Sequence, residues 1–491
     1  MELTIVVKQN LKYSLALLVV AVLVLIAYPG EVGIPKFIYL ITGLFFLVSL
    51  FLPHLLDKWN GKGVYLLIAF LGIISALVTP ILNTPDEPVH FARALKVATG
   101  EVNLDNLPEH LTVSQDYQEV NRQAKVPITK TDLFFIPTSD RQTKFVHQAD
   151  YRATNQYSFL SYLPQAFGIL IGKLLRVNVG YIFYLGRIFN ALVYAMFAVF
   201  AIKLSGSFKQ LMFAGVSLPM SISLAGSYNQ DASSIGIQLL AIGFLLHLLE
   251  KEEKISLFDV LSYALICGVI VLTKLPFVVF AGLLIFIPKK RFSSKVVYLS
   301  TFLIGILLVI ATGIWYKVSG EVYYPFNLPG TDLSSQLHHL SSQPSVYIPV
   351  LLKEFVNIGS RASQLFIFGW LDLPMSNLYP YFLLLYTTIV GLNMGKYTLP
   401  KWIKIGLLLV SSVIILGVVT VMYLTWTPVA AMEVSGVQGR YYISIYVIIM
   451  LLIASFKPKA FTVNQVSDSL VLQTSLYSNV AMLLLSISML P

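Results

Sequence analysis

Apolar runs of about 17 to 23 residues alternate with short polar turns from residue 12 to residue 490. A helix rises 1.5 Å per residue, so each run is long enough to cross a hydrocarbon layer about 30 Å thick. The pattern predicts about thirteen spans, near 12–28, 36–53, 64–82, 180–203, 210–226, 232–249, 257–272, 275–288, 296–317, 376–394, 403–424, 440–456 and 474–490. The expected fold class is an all-α integral membrane protein. The first run, "YSLALLVVAVLVLIAY", follows Lys8 and Lys12 and has no small-residue cleavage site behind it, so it reads as a retained span.

Composition agrees: 56% of the residues are hydrophobic and 12% charged, about half the charged fraction of a soluble domain. A net charge of +10 would suit a nucleic-acid partner, but its distribution excludes one. Roughly half of the basic residues fall in alternate short turns: Lys58 and Lys62, Lys203 and Lys209, Lys251 and Lys254, "KKRFSSK" at 289–295, Lys396 with Lys401 and Lys404, and Lys457 with Lys459. Placing them all on the cytoplasmic side obeys the positive-inside rule and makes membrane lipid their partner. The N-terminus is then cytoplasmic, and three long segments lie outside: 83–179, 318 to about 375, and 425–439. Within the first, "YSFLSYLPQAFGILIGKLL" is an apolar helix interrupted by Pro164, expected to lie in the interface or re-enter the membrane. The one cysteine, Cys267, excludes an internal disulfide and a cysteine metal site.

Ionisable groups at a membrane edge are costly and call for a function. Under this topology they gather on the outer side: Asp86, Glu87, His90 and Arg93 after the third span; Arg187; Asp231 in "SYNQD" with Asn229 and Gln230; Lys274 in "TKLP"; Asp372 in "GWLDLP"; and Arg440 in "GVQGRYY" with Gln438 and Tyr441. In "NTPDEPVHFARA", Thr84 and Glu87 have the spacing of a capping box. Pro88 weakens that reading and favours a helix starting near residue 88, with both acids in the turn before it. A carboxylate held there can accept a proton from a bound hydroxyl. Asp86 and Glu87 are both candidates, and pairing of either with Arg93 is the structural alternative. Lys274 reads equally as a snorkelling or an anion-binding lysine. At Arg440, glycines 436 and 439 would allow close backbone approach to a ligand, and a guanidinium matches phosphate in a two-pronged way. The chain has no Walker loop, dinucleotide fingerprint or zincin motif. An activated substrate would therefore arrive lipid-linked, through the bilayer.

Taken together, "NTPDEPVHFARA", "YSFLSYLPQAFG", "SYNQDA", "TKLP", "GWLDLP" and "GVQGRYY" resemble a family of bacterial multi-pass membrane proteins catalogued as domain of unknown function 2142, over about residues 64 to 456. That family is grouped with the GT-C glycosyltransferases, which use polyprenyl-phosphate sugars. The resemblance implies a GT-C-like core at 64–456 with a long first outer loop carrying interfacial helices, preceded by a two-helix addition at 1–63 and followed by a C-terminal segment at 457–491. It further implies an inverting glycosyltransferase of the bacterial plasma membrane, with Asp86 as general base and Glu87 as the neighbouring candidate. Arg440, Lys274 and Arg187 would meet the donor phosphate, and His90, Arg93, Asn229, Gln230, Asp231, Asp372, Gln438 and Tyr441 would line the substrate site. The expected partners are a lipid-linked sugar donor and a glycan or glycolipid acceptor. No cofactor is assigned, although some GT-C enzymes use a divalent cation. The competing readings are a transporter or flippase of polyprenyl-linked saccharides, and a polysaccharide polymerase or ligase.

Overall fold

The computed structural model describes residues 2–27, 36–55, 61–102, 112–122, 145–148, 150–320, 329–368, 398–456 and 468–488. The helices are α1 (Glu2–Ala27), α2 (Lys36–Leu55), α3 (Gly61–Val78), α4 (Glu87–Ala98), α5 (Gln115–Arg122), α6 (Leu163–Leu174), α7 (Val179–Leu204), α8 (Lys209–Val216), α9 (Pro219–Ala225), α10 (Asp231–Glu250), α11 (Leu257–Thr273) and α12 (Lys295–Gly320). They continue with α13 (Leu333–Ser342), α14 (Tyr347–Ser363), α15 (Lys401–Thr425), α16 (Ile443–Ser455) and α17 (Asp468–Ser488). A short antiparallel pair, β1 (Thr112–Ser114) and β2 (Phe145–Gln148), accompanies α5.

Six of the described helices are long and apolar enough to cross a membrane, and shorter apolar helices join them. The expected span at 376–394 lies outside the described residues. The expected span at 210–226 is instead two helices, broken at Leu218 because Pro219 has no N–H to continue the ladder. The break is satisfied from outside, as a buried membrane segment requires. Asn479 Nδ2 donates to the Ser217 carbonyl (2.8 Å) and Tyr194 Oη to that of Val216 (2.7 Å). The segment Leu275–Phe286 is a continuous 3₁₀ helix. At about 2.0 Å per residue it covers most of a hydrocarbon layer with twelve residues.

α7 is the hub, packed against α3, α6 and α10. Small residues permit the close approach: a Cβ on Gly72 would lie 2.8 Å from that of Ala191, and one on Gly243 2.5 Å from the Ala201 carbonyl oxygen. The basic turns meet at one end of the bundle, as the alternation predicts. Gly61 touches the Lys203 side chain, Ser207 N donates to Glu250, Arg291 to the Leu248 carbonyl, and Lys404 to that of Ser455. The first two helices and the last described one are joined. Ser14 bonds Ser49, and Ser49 bonds Gln473 (2.8 Å), which gathers α1, α2 and α17 beside the core.

At the opposite end, α6 turns back along the start of α7, and Gly168 faces the Leu185 carbonyl. Leu163, Phe167, Leu170 and Leu174 form its exposed stripe, which suits the interfacial placement expected of it. α14 carries a second such stripe, Ile348, Leu352, Phe355 and Val356, that no motif announces.

Candidate functional site

The chain leaves α3 through a turn that two non-glycine residues enter with positive φ: Leu82 (55°) and Asp86 (60°). Such residues cost on the order of 1–3 kcal/mol each and persist only where surrounding bonds over-determine them. Arg187 provides those bonds. It is completely buried, and its NH1 donates to the carbonyls of Ala76 (3.0 Å) and Thr79 (2.7 Å). Its NH2 donates to Pro80 O (2.9 Å) and Glu87 Oε2 (2.6 Å), and its Nε to Glu87 Oε1 (2.8 Å). All five guanidinium hydrogens are thereby engaged. Glu87 also accepts from Tyr228 N (3.0 Å), and Asn229 Nδ2 donates to Pro85 O (3.0 Å).

This arrangement corrects two sequence expectations. Glu87 does not share an environment with Asp86, since its fully buried carboxylate is engaged with Arg187. Arg187, expected at the donor phosphate, is saturated within the turn. The capping box does not form either: Asp86 is the N-cap of α4, and the Thr84 hydroxyl is buried with no hydrogen-bond partner among the described residues. The helix starts at Glu87, with Pro88 in the first turn where its missing N–H costs little.

Breaking the Glu87–Arg187 pair leaves a buried charge alone, a loss of about 3–5 kcal/mol. We therefore expect Arg187→Met to lower the thermal midpoint in detergent strongly, and Glu87→Gln added to it to recover part of the loss. A midpoint unchanged by Arg187→Met would refute the clamp.

The left-handed Asp86 makes no side-chain capping bond, so its carboxylate leaves the helix axis and meets Arg440. Arg440 lies in a 3₁₀ turn, Gly439–Tyr442, that opens α16. Its NH2 donates to Asp86 Oδ2 at 2.6 Å, and its Nε lies 3.5 Å from Asp231 Oδ2. Asp231 begins α10 and accepts on Oδ1 from Lys274 Nζ at 2.5 Å. Lys274 is an extended residue between α11 and the 3₁₀ segment, a broken helix that presents its ammonium at the end of the bundle. Lys274 also lies over the Tyr441 ring, 4.6 Å from its centre, and Arg440 lies 5.4 Å from that centre. Four loops distant in sequence thus form one chain of charge, Lys274–Asp231–Arg440–Asp86.

Exposure separates its members. The side chains of Arg440 and Asp231 are each 5% exposed and Lys274 14%, whereas Asp86 is 35% exposed. Asp86 is the carboxylate that water or a substrate can reach. Arg440 NH1 is buried and has no hydrogen-bond partner among the described residues. Burial alone would raise the Asp86 carboxyl, but the Arg440 guanidinium holds it below its ordinary value.

His90 stands one turn along α4, its Nδ1 2.8 Å from Tyr162 Oη and its ring beside Tyr157. Burial pushes its imidazole down to about 4, so it is neutral at physiological pH. Tyr157 and Tyr162 were not anticipated as site residues; their polar tips in an interrupted apolar helix were the available signal.

Because the folded His90 value lies below the ordinary 6.5, the unfolded chain binds more protons between about 4 and 6.5. Its contribution to stability is complete above that window and falls as pH drops through it. His90→Gln should flatten the acid side of a melting-temperature profile over that interval; an unchanged slope would contradict the assignment.

The remaining expected residues are placed as follows. Arg93 braces the far end of α4, donating to Val102 O (3.1 Å) and lying over Tyr151, so Arg440 and Arg187 are the bonded partners of the two acids. Gln230 Nε2 donates to Asp231, Gln438 O accepts from Tyr441 N, and Asp372 lies outside the described residues. Glycines 436 and 439 serve the fold: Gly436 has φ 78°, and a Cβ on Gly439 would lie 2.3 Å from the Arg361 carbonyl oxygen. A divalent cation does not fit this lining. Asp86 and Asp231 face a guanidinium and an ammonium, which repel a cation and suit an anion.

Comparison with known proteins gives one family. A family model described as "Predicted membrane protein (DUF2142)" matches residues 67–449. No curated protein matches, and no solved structure matches.

Proposed function

We propose, from the premise that this chain belongs to the DUF2142 family of predicted membrane proteins, that it is a glycosyltransferase using a polyprenyl-phosphate sugar. The acceptor is a hydroxyl of a cell-surface glycan or glycolipid, and transfer takes place on the outer face of a bacterial plasma membrane. One observation carries this reading: the reachable carboxylate, Asp86, lies 2.6 Å from a buried arginine that retains an N–H unbonded among the described residues. A proton acceptor and an anion-binding group are thus adjacent at a membrane edge.

In this reading Asp86 takes the proton of the acceptor hydroxyl as its oxygen attacks the anomeric carbon from the face opposite the phosphate, with inversion. The carbon–oxygen bond to the polyprenyl phosphate breaks as the new bond forms. Negative charge that develops on the departing phosphate meets Arg440 and Lys274, which fixed neighbours hold in place. A phosphate leaving group needs no protonated acid, so one base and one clamp suffice. Glu87 and Arg187 set the turn that aims Asp86, and the GT-C relationship and about thirteen spans belong to this same reading.

A carrier of polyprenyl-linked saccharides is the alternative, and the broken helices at Leu218 and Lys274 favour it. Below Asp231, however, α10 continues with neutral groups bonded to one another: Gln238 to Ser234 (2.9 Å) and Ser444 to Gln238 (2.8 Å). A paired cluster of charge at one membrane edge with neutral groups beneath it suits a surface enzyme better than a passage.

Release of polyprenyl phosphate by the purified protein, dependent on an acceptor, tests the activity. Sidedness has its own test. In a Cys267→Ser background, a cysteine at Glu101 should react with an impermeant maleimide from outside intact cells, and one at Lys254 should not. The reverse pattern would overturn the orientation.

A further inference from the structure

Base and clamp occupy one another in this structure. Arg440 NH2 is bonded to Asp86 at 2.6 Å, while its NH1 meets no acceptor among the described residues. The two carboxylates on Arg440 differ in how free they are to leave. Asp231 is 5% exposed and is also held by Lys274, so it is tied in place and has no water to move into. Asp86 is 35% exposed, makes no capping bond, and on leaving would gain water.

The four charges balance, two cations against two carboxylates. A phosphate brings further negative charge and several acceptor oxygens, which a guanidinium grips with two N–H groups at once. NH1 offers one of these; NH2 carries two hydrogens but is held against Asp86, so a phosphate gripping this edge meets that carboxylate and repels it.

We infer that Asp86 is the resting occupant of the phosphate subsite at Arg440, and that a bound polyprenyl phosphate group displaces its carboxylate, freeing the base only when the donor is in place. This rests on the reading of Arg440 as the phosphate clamp. It means that the acceptor is activated after the donor binds. The phosphate's charge also makes the freed carboxylate a stronger proton acceptor. Asp86 therefore opposes donor binding even though transfer requires it.

The test uses the full-length protein in nanodiscs and a short-chain polyprenyl phosphate as the probe. Asp86→Asn and Asp86→Ala should each bind it about tenfold more tightly than wild type, and Arg440→Ala more weakly. In the wild-type protein, modification of Asp86 by a water-soluble carbodiimide, read by mass spectrometry, should increase when the probe is bound. If Arg440→Ala weakens binding while neither Asp86 variant binds more tightly, or if the probe leaves Asp86 labelling unchanged or lowers it, the displacement is wrong and the clamp stands. If Arg440→Ala leaves binding unchanged, the clamp is wrong and the displacement falls with it.

Discussion

Asp86→Asn should reduce sugar transfer by about 10²–10⁴-fold, the range for loss of a positioned general base, while the protein keeps its fold. The substitution preserves volume and removes only charge. The turn does not depend on that charge, since Arg187, Glu87 and Asn229 hold it and Asp86 makes no capping bond. The loss should appear in kcat and not as weaker donor binding, which separates a base from a donor-binding residue. Asp86→Glu should recover a fraction of the activity, because the longer side chain keeps the proton acceptor but misplaces it. Transfer kinetics on folded variants decide the matter: an Asp86→Asn protein working at the wild-type rate removes Asp86 from the chemistry.

Arg440→Ala should weaken polyprenyl phosphate binding by about a hundredfold or more, since truncating one partner of a buried charge pair costs about 2–5 kcal/mol. Arg440 is 5% exposed, and Asp86 and Asp231 both lie against it. The same variant should lose kcat, because the guanidinium also meets charge that grows on the departing phosphate. Arg440→Lys restores the charge without the two-pronged geometry, so it should fall between. Titration of the short-chain phosphate by calorimetry checks the first effect, and wild-type affinity in Arg440→Ala would remove the clamp.

Hydropathy made the helical membrane fold legible because span length is set by the bilayer and not by neighbours. Alternating lysines foretold which turns would meet at one end, and Gly61 against Lys203 and Lys404 against Ser455 bear that out. The meeting of Asp86, Asp231, Lys274 and Arg440 was legible too, once topology placed those loops on one face.

What the sequence left open was which of two adjacent acids does what. Asp86 and Glu87 look alike in a string. The left-handed backbone at Asp86 sends their carboxylates to different arginines, 187 and 440, and that backbone is imposed by long-range bonds to α7. For the same reason Arg187 read as an anion-binding residue: its saturation depends on the carbonyls of Ala76, Thr79 and Pro80, more than a hundred residues away. The break at Leu218 was foreshadowed by Pro219 alone, and the joining of α1 and α2 to α17 rests on Ser49 meeting Gln473. Serines and glutamines carry no directional signal in a hydropathy profile.

Sugar transfer at the Asp86–Arg440 site breaks the bond between sugar and phosphate, which carriage of the donor leaves intact. Purified protein in sealed proteoliposomes would receive a polyprenyl-phosphate sugar labelled separately in the sugar and in the lipid, together with candidate glycan acceptors. The sugar label should move to the acceptor in step with appearance of free polyprenyl phosphate, and Asp86→Asn should abolish both. Movement of the intact donor across the bilayer, both labels still joined and no polyprenyl phosphate released, would contradict transfer and establish a carrier.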